Sequence, residues 1–449
     1  MPDIAALEAQ LNSFDREARR SALAELVALA ERGDIALPPQ THAFNLHCHS
    51  FFSYNGYGYS PTALAWQGRR QGLYAMGLVD FDVVEGVEEF LEACAQVGLR
   101  RCAGMETRIF VPEFSDREIN SPGEPGISYH MGAGFTTRGG AQPALQARFL
   151  DIAQQRNKDM IARINPHLDP VAIDYERDVL PLSPRGNPTE RHLCIAYDER
   201  ARQALADEAA RVAFWAEKLG VSADQVCAAM EDPPVFQGLI RSKTMKRGGA
   251  GYAQPEGDAF PRLEEVNRFT LDNGGLPTYA FLHGLTPGEQ AMDELLDLMQ
   301  ASGVAAVNII PDRNWNINDP AEKRKKVDKL YAFVDNATRR HLPILAGTEM
   351  NAYGQRFVDD FDAPELKPLL ETFLEGVHIL HGHTLFQQHA GMGYLSDWAG
   401  AHFENAAGKN RFYRQVGEKF LNAKDTAFLS IAPTNLKTEV AQALGIHLD

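Results

Sequence analysis

Two histidines separated by one residue, in the segment Phe-Asn-Leu-His-Cys-His-Ser at 44–50, constrain the fold of this chain more than any other feature. Side chains of a β-strand alternate between its two faces, so this apolar lead-in and spacing predict a short strand that points His47 and His49 the same way. Imidazole is a common metal ligand, and the pair indicates a metal site if further ligands arrive from other strand ends. An isolated pair of this kind is more often structural.

Strand and helix patterns alternate over 44–135 and again from 276. This alternation predicts an α/β fold with a mostly parallel sheet or barrel, in which active-site residues gather where the strands end. Side chains that can bind metal follow the predicted strands one after another. They are His47, His49, Glu106, His130, His283 and Glu349. This set of imidazoles and carboxylates suits Zn, Mn or Fe ions.

The same patterns divide the chain into three predicted parts. Residues 1–40 form a helical leader, with two helices within 4–33, and residues 41–140 and 255–449 form the barrel. Residues 141–254 are helical and charged, and we interpret them as an inserted cap. The cap ends in a basic, glycine-rich turn, which is either a solvated turn or a binding site for an anion.

The charge of the chain restricts its partners. A formal net charge of −16 over 449 residues disfavours long nucleic acid and anionic membranes, but allows a small anionic substrate in a locally positive pocket. The five cysteines include no Cys-x-x-Cys pair, which favours free thiols in a reducing compartment. The sequence has neither a signal-peptide pattern nor a run of roughly 18 apolar residues. We expect a cytoplasmic protein, with assembly into oligomers left open.

Several motifs resemble those of the polymerase and histidinol phosphatase (PHP) superfamily, in its nucleotide or nucleic-acid phosphoesterase branch. The opening Leu-His-x-His-Ser/Thr motif is matched at 46–50, and the Gly-x-Glu motif at 104–106. Weaker matches lie at 79–86, 130–132 and 282–284. In the cap, Arg191 and His192 stand near a frequent Arg-Pro-His, and Lys246 and Arg247 begin a segment similar to a Gly-Lys-x-x-Tyr turn.

The resemblance covers roughly residues 44–355. It implies a distorted, TIM-like (β/α)7 barrel with an inserted helical cap, and the apolar segment 376–383 leaves room for an eighth strand. It also implies two metal ions that share Glu106: one bound by His47, His49 and Glu349, the other by His130 and His283. Family members often hold a third ion through two more histidines. Phe81 and Asn351 occupy those positions, so we expect no third ion.

A second pair of histidines, His381 and His383, is an alternative candidate for the late metal motif. These residues could supply the ligands that Phe81 and Asn351 do not. They could equally be a structural pair on an apolar strand, which is the interpretation we favour.

The resulting hypothesis is a metal-dependent phosphoesterase that acts on a small phosphorylated metabolite or a nucleotide. Two ions would activate a bound water as hydroxide, so no further catalytic residue is required. Asp80 and Asp82 would orient ligand histidines. Substrate phosphate would be bound by Arg191, His192, Lys246 and Arg247. Two alternatives remain open: a dinuclear hydrolase of a non-phosphate bond, and a degenerate PHP-like protein that binds without catalysis.

Overall fold

A computed structural model describes residues 3–137, 141–254, 259–422, 425–428 and 430–448. Within them, one sheet contains seven strands in sequence order. The strands are β1 (Phe44–Asn45), β2 (Ala75–Phe81), β3 (Arg100–Phe110), β4 (Ile127–Ala133), β5 (Leu276–Phe281), β6 (Ala306–Ile309) and β7 (Ile344–Ala346). Strands β1 to β3 are parallel, as are β5 to β7, whereas β4 is antiparallel to both neighbours.

The first and last strands approach each other, so the sheet is nearly closed into a barrel. Cys48 forms a parallel bridge with Glu349. The Leu46 N–H donates to the Ala346 carbonyl at 2.9 Å, and the Glu349 N–H donates to the His47 carbonyl at 2.8 Å. The mixed α/β architecture with a barrel-like sheet, which the sequence predicted, is confirmed.

Helices connect the strands and cover the sheet. Those before β5 are α1 (Ile4–Gln10), α2 (Arg16–Glu31), α3 (Pro61–Arg70), α4 (Val87–Val97), α5 (Pro143–His167), α6 (Glu190–Ala204), α7 (Glu208–Leu219), α8 (Ala223–Met230), α9 (Pro233–Thr244) and α10 (Leu263–Asp272). Those after it are α11 (Pro287–Gln290), α12 (Met292–Ala301), α13 (Asp312–Trp315), α14 (Pro320–Arg339), α15 (Leu370–Ala390), α16 (Asp397–His402), α17 (Ala406–Lys419) and α18 (Lys437–Leu444). In the part of the chain that is described, no helix is long and apolar enough to cross a membrane.

The buried apolar side chains form two large cores. The larger core includes Trp66 and Phe90 and lies between the sheet and its surrounding helices. The second, around Trp215 and Phe236, lies within residues 161–245. Helices α5 to α9, called the α5–α9 segment below, therefore pack around a core of their own.

The leader contains the two predicted helices, α1 and α2, and they pack on the barrel. Arg19 of α2 is 2% exposed and donates through Nε to Glu89 of α4 at 2.8 Å. The same Glu89 oxygen accepts from Thr62 of α3 at 2.8 Å. Because a buried arginine is costly without a partner, this pairing fixes α2 against α3 and α4.

The eighth strand considered for residues 376–383 is not formed. These residues belong to the 21-residue helix α15, which is buried on most of its circumference and packs against β3, β7 and α17. An apolar run in a helix that is covered on all sides has the same composition as a buried strand. The prediction of a strand was therefore wrong.

Candidate metal centre

His47 and His49, which follow β1, lie together with Glu106, which belongs to β3 and pairs with Phe81, the last residue of β2. The Nε2 atoms of both histidines are 3.2 Å from Oε2 of Glu106 and 3.3 Å from each other. All three residues are buried, with at most 3% of their surface exposed. Among the described residues, this is the group of His, Cys, Asp or Glu side chains whose donor atoms lie close enough, within 4.8 Å, to hold a metal ion.

Strand pairing directs the two histidines into the barrel. Cys48 between them is bridged to Glu349 and packs in the apolar core, so its neighbours point to the opposite face. The His49 N–H donates to the Glu349 carbonyl at 2.8 Å. A Cβ on Gly347 would lie 2.3 Å from the backbone N of His47. This close approach requires glycine at 347.

The cluster stabilises its own charges. Burial alone would raise the pKa of Glu106, but the neighbouring imidazoles of His47 and His49 lower it to about 2. Burial alone would lower the pKa of His47, yet the carboxylate of Glu106 raises it. An anionic oxygen beside two imidazoles is the donor chemistry that Zn and similar divalent ions prefer. The residues present therefore fit a divalent metal ion.

Asp80 organises the loop that carries His49. Its Oδ1 accepts from the Ser50 N–H and the Ser53 hydroxyl, each at 2.7 Å, and its Oδ2 accepts from the Ser50 hydroxyl at 2.7 Å. Oγ of Ser53 also lies 3.3 Å from Nδ1 of His49. Because the Ser53 hydroxyl donates its hydrogen to Asp80, its oxygen can accept only a hydrogen from Nδ1 of His49. Nε2 of His49 then keeps its lone pair for a metal. Asp82 instead accepts from Thr107 at 2.6 Å.

Glu349 follows β7 and is held by other side chains. Nη2 of Arg313 donates to both of its carboxylate oxygens, at 2.8 and 2.7 Å, and Nε2 of Gln355 donates to Oε2 at 3.1 Å. Glu349 and Met350 have positive φ angles of 66° and 55°. The carboxylate is close enough to raise the pKa of His47, but in this structure its partner is a guanidinium.

His130 does not lie with the cluster. Glu106 pairs in register with Met131, while His130 pairs with Thr107 and so points to the other face of the sheet. There its Nε2 lies 2.6 Å from Oδ1 of Asn267 on α10. The expectation that His130 is a strand-end ligand is corrected by this placement, because its register with β3 puts it on the face opposite Glu106.

His283 also lies apart from the three donors. It follows β5, and its Nδ1 accepts from the Leu285 N–H at 3.2 Å and lies 3.9 Å from Oε2 of Glu289. Burial, together with Lys326 and Arg313, lowers its pKa to about 4. The imidazole is therefore neutral at pH 7, as a metal ligand must be, although it is not directed at Glu106 here.

The alternative pair, His381 and His383, lies at the other end of the barrel. Nδ1 of His381 accepts from the Arg101 N–H at 3.2 Å, where β3 begins. Nε2 of His383 lies 2.8 Å from the Gly134 carbonyl, just after β4 ends. Both rings bind backbone groups of the fold, which contradicts the alternative that they are metal ligands.

The two departures from the family motif both line the cavity above the cluster. Phe81 stacks on His49, with ring centroids 4.1 Å apart and planes 24° apart. It fills the space beside His49 with a ring that has no lone pair. Asn351 follows the Glu349 turn and offers only a neutral amide.

This cavity has a volume of about 1070 Å³ and lies between the barrel mouth and the α5–α9 segment. Eight of its described lining residues are cationic, against six acids, in a chain with more acids than bases overall. The cations are Arg108, Arg156, Arg163, Arg191, Arg241, Lys246, Arg247 and Arg313. The cavity is thus more positive than the rest of the protein.

The four cap residues predicted to bind substrate differ in their surroundings. Lys246 donates to Glu190 at 2.7 Å, and Arg241 donates to the same oxygen at 2.8 Å. Arg191 and Arg247 line the cavity without an ion-pair partner among the described residues. His192 accepts the Thr189 N–H through Nδ1 at 3.0 Å. It lies in the capping box of α6 and so has a local structural role.

Other cavity residues were missed by the sequence interpretation. Arg156 places its guanidinium carbon 4.7 Å from the centre of the Phe260 ring. Asn308 of β6 lies fully buried beside the cluster. Nothing in the local pattern distinguishes these side chains from ordinary helix or strand residues, because only the fold brings them to the cavity.

Comparisons with protein families and with curated proteins gave no match. Two solved structures are similar. One is an amidohydrolase from Chromobacterium violaceum with bound sulfate and no metal, with 16% identity, a TM-score of 0.46, and coverage of 74% of this chain and 96% of that one. The other is a provisionally named metal-dependent phosphoesterase from Bifidobacterium adolescentis, with 20% identity, a TM-score of 0.45, and coverage of 75% and 98%.

Proposed function

We propose that this protein is a metal-dependent hydrolase of phosphoesters, acting on a small phosphorylated metabolite or a nucleotide. One observation carries the proposal: the cavity has the cluster of His47, His49 and Glu106 in its wall, and cationic side chains around it. Four of these cations, Arg156, Arg163, Arg191 and Arg247, have no ion-pair partner in the described ranges. A phosphate group would supply the missing negative charge.

The cluster would hold a divalent ion through Nε2 of His47, Nε2 of His49 and the carboxylate of Glu106. When bound, such an ion acts as a Lewis acid and lowers the pKa of water. Around it, Ser53 and Asp80 hold the His49 ring in the required tautomer. The arginines neutralise and position the phosphate, which is most of what phosphoryl transfer requires of a protein.

The structure brings together the donors for one ion. A second ion, as in the binuclear centre that the PHP resemblance implies, would be bound by Glu106, His130 and His283, so both histidines would have to turn towards Glu106. Glu349, which the resemblance assigns to the first ion, would have to leave Arg313. The resemblance of the opening and cap motifs supports a phosphoester as the bond that is cleaved.

A second candidate is a hydrolase of a carboxylic ester or amide, and Phe81 favours it. The ring stacked on His49 removes a ligand position, and a site with fewer metal ions has less charge for a phosphoryl group. A substrate with a carboxylate would still find the arginines of the cavity.

Elemental analysis of protein purified without chelator tests the proposal, with Glu106→Gln as the variant and Glu124→Gln as its matched control. Glu124 is also in the cavity wall, but it pairs with Arg108 and not with the histidines. We expect a transition metal in the parent and in Glu124→Gln, loss of the metal in Glu106→Gln, and metal-dependent hydrolysis of p-nitrophenyl phosphate.

Absence of metal from all three proteins, even after Mn or Zn is added, would exclude the hydrolase and favour a binding protein. Metal-dependent cleavage of p-nitrophenyl acetate without cleavage of the phosphate would favour the second candidate.

A further inference from the structure

Asn308 is a buried amide that the protein itself does not satisfy. It lies in β6 with no exposed surface, and neither Nδ2 nor Oδ1 has a hydrogen-bond partner among the described residues. Buried polar groups in native proteins almost always have partners, because an unpaired amide loses its bonds to water without replacement. A side chain in this state indicates a partner that binds in the functional state.

The surroundings of Asn308 identify where that partner lies. The residue pairs in register with Ala280, and both line the cavity. Ala280 belongs to an apolar cluster inside the barrel with Val79 and Met131, so Asn308 is a polar group in an apolar part of the wall.

His47 also has a buried polar atom without a partner. Its Nδ1 is buried and has no hydrogen-bond partner among the described residues, whereas its Nε2 faces Glu106. Asn308 lies near the His47 ring. Of the cavity-lining residues, His47 and Asn308 are the two with such unpaired buried side-chain atoms.

We propose that Asn308 binds the substrate: in the metal-loaded protein its Nδ2 donates to an oxygen of the anionic group under attack, and its Oδ1 accepts the Nδ1 proton of His47, a bond that this structure lacks. The second bond fixes the tautomer that leaves Nε2 of His47 free to bind metal. The first supplies a neutral donor in a place where a cation would compete with the metal ion. This assignment rests on the proposed function, since it assumes a substrate with an anionic oxygen.

Two variants of Asn308 and one control test the assignment. Asn308→Leu has nearly the same volume without polar atoms, and Asn308→Asp keeps the shape but replaces the donor with a charged acceptor. The control is Asn336→Leu, a buried asparagine of α14 whose amide is already paired with Asp293 and Arg340.

The first measurement is urea unfolding of the metal-free proteins. We expect Asn308→Leu to unfold at a urea concentration equal to or above that of the parent, because it removes an unsatisfied amide. Asn336→Leu should unfold at a lower concentration, because it breaks bonds that exist. An Asn308→Leu variant as destabilised as the control would show that Asn308 has a structural partner, and would overturn the assignment.

The second measurement is calorimetric binding of inorganic phosphate to the metal-loaded proteins. We expect phosphate affinity to fall by about 10- to 100-fold in Asn308→Leu and further in Asn308→Asp, with little change in Asn336→Leu. Unchanged affinity in both Asn308 variants would overturn the assignment and leave the proposed function standing. A parent that binds metal but no phosphate would overturn the phosphoesterase, and the assignment with it.

Discussion

Arg313 binds Glu349 through a single nitrogen: Nη2 donates to both carboxylate oxygens, at 2.8 and 2.7 Å. The carboxylate raises the pKa of Arg313 in return. A guanidinium here takes the place that a metal ion would take beside Glu349. We therefore expect Arg313 and a bound metal ion to compete for this carboxylate.

Replacement of Arg313 by glutamine should strengthen metal binding. The change removes a positive charge near the cluster and frees Glu349, so we expect metal affinity to rise by about three- to tenfold. Competition with a chromophoric chelator measures this. Arg339→Gln, which removes an exposed arginine paired with Asp335 on α14, is the control. A fall in affinity would mean that Arg313 holds Glu349 in place for the metal.

Ser53→Ala should weaken metal binding by about tenfold. The variant breaks the chain from Asp80 through the Ser53 hydroxyl to Nδ1 of His49, so the ring no longer keeps one tautomer. The same chelator titration reports the effect. Ser183→Ala is a matched control, because it removes a buried hydroxyl with no hydrogen-bond partner among the described residues. Equal affinities in the two variants would show that Ser53 does not position His49.

Phe81→His should add a metal ligand. Phe81 pairs in register with Glu106 and stacks on His49, so an imidazole in its place would lie beside two existing donors. We expect the metal content to rise by about one ion per chain. Phe81→Leu removes the ring without adding a donor and should leave the content unchanged. If both variants contain the same amount of metal, the space beside His49 cannot form a site.

The sequence was informative where a local rule determines the direction in which a side chain points. The period of two along a strand was enough to place His47 and His49 on one face, and the parallel pairing of successive strands was enough to bring Glu106 near them. Neither inference required knowledge of the rest of the fold.

The placement of His130 could not be predicted from local sequence rules. A strand has the same residue pattern whether it runs parallel or antiparallel to its neighbours, so nothing in residues 127–134 indicates the reversed direction of β4. The face on which His130 lies depends in addition on the register of β4 with β3, which the residue pattern does not reveal either. Asn308 and Arg156 are a different case: only the folded chain places them at the cavity, so no local pattern could identify them as site residues.

The burial of Asp359 predicts that the stability of the protein depends on pH. It is 4% exposed, its Oδ1 accepts from Trp315 at 3.1 Å, and its Oδ2 has no hydrogen-bond partner among the described residues. Burial raises the pKa of Asp359 to about 7, against the smaller lowering by Trp315. In the unfolded chain, the same carboxyl has a pKa of about 3.9.

Between these two pKa values the folded protein binds a proton that the unfolded chain does not. The contribution of Asp359 to stability is therefore complete below about pH 4 and decreases by about 1.4 kcal/mol per pH unit as the pH rises towards 7. Asp359→Asn, which resembles the protonated acid, should remove this decrease. Urea unfolding of the variant and the parent at pH 5 and pH 8 measures this. The free energy of unfolding of the variant minus that of the parent should be larger at pH 8 than at pH 5. An equal difference at both pH values would show that Asp359 is ionised in the folded protein throughout this range.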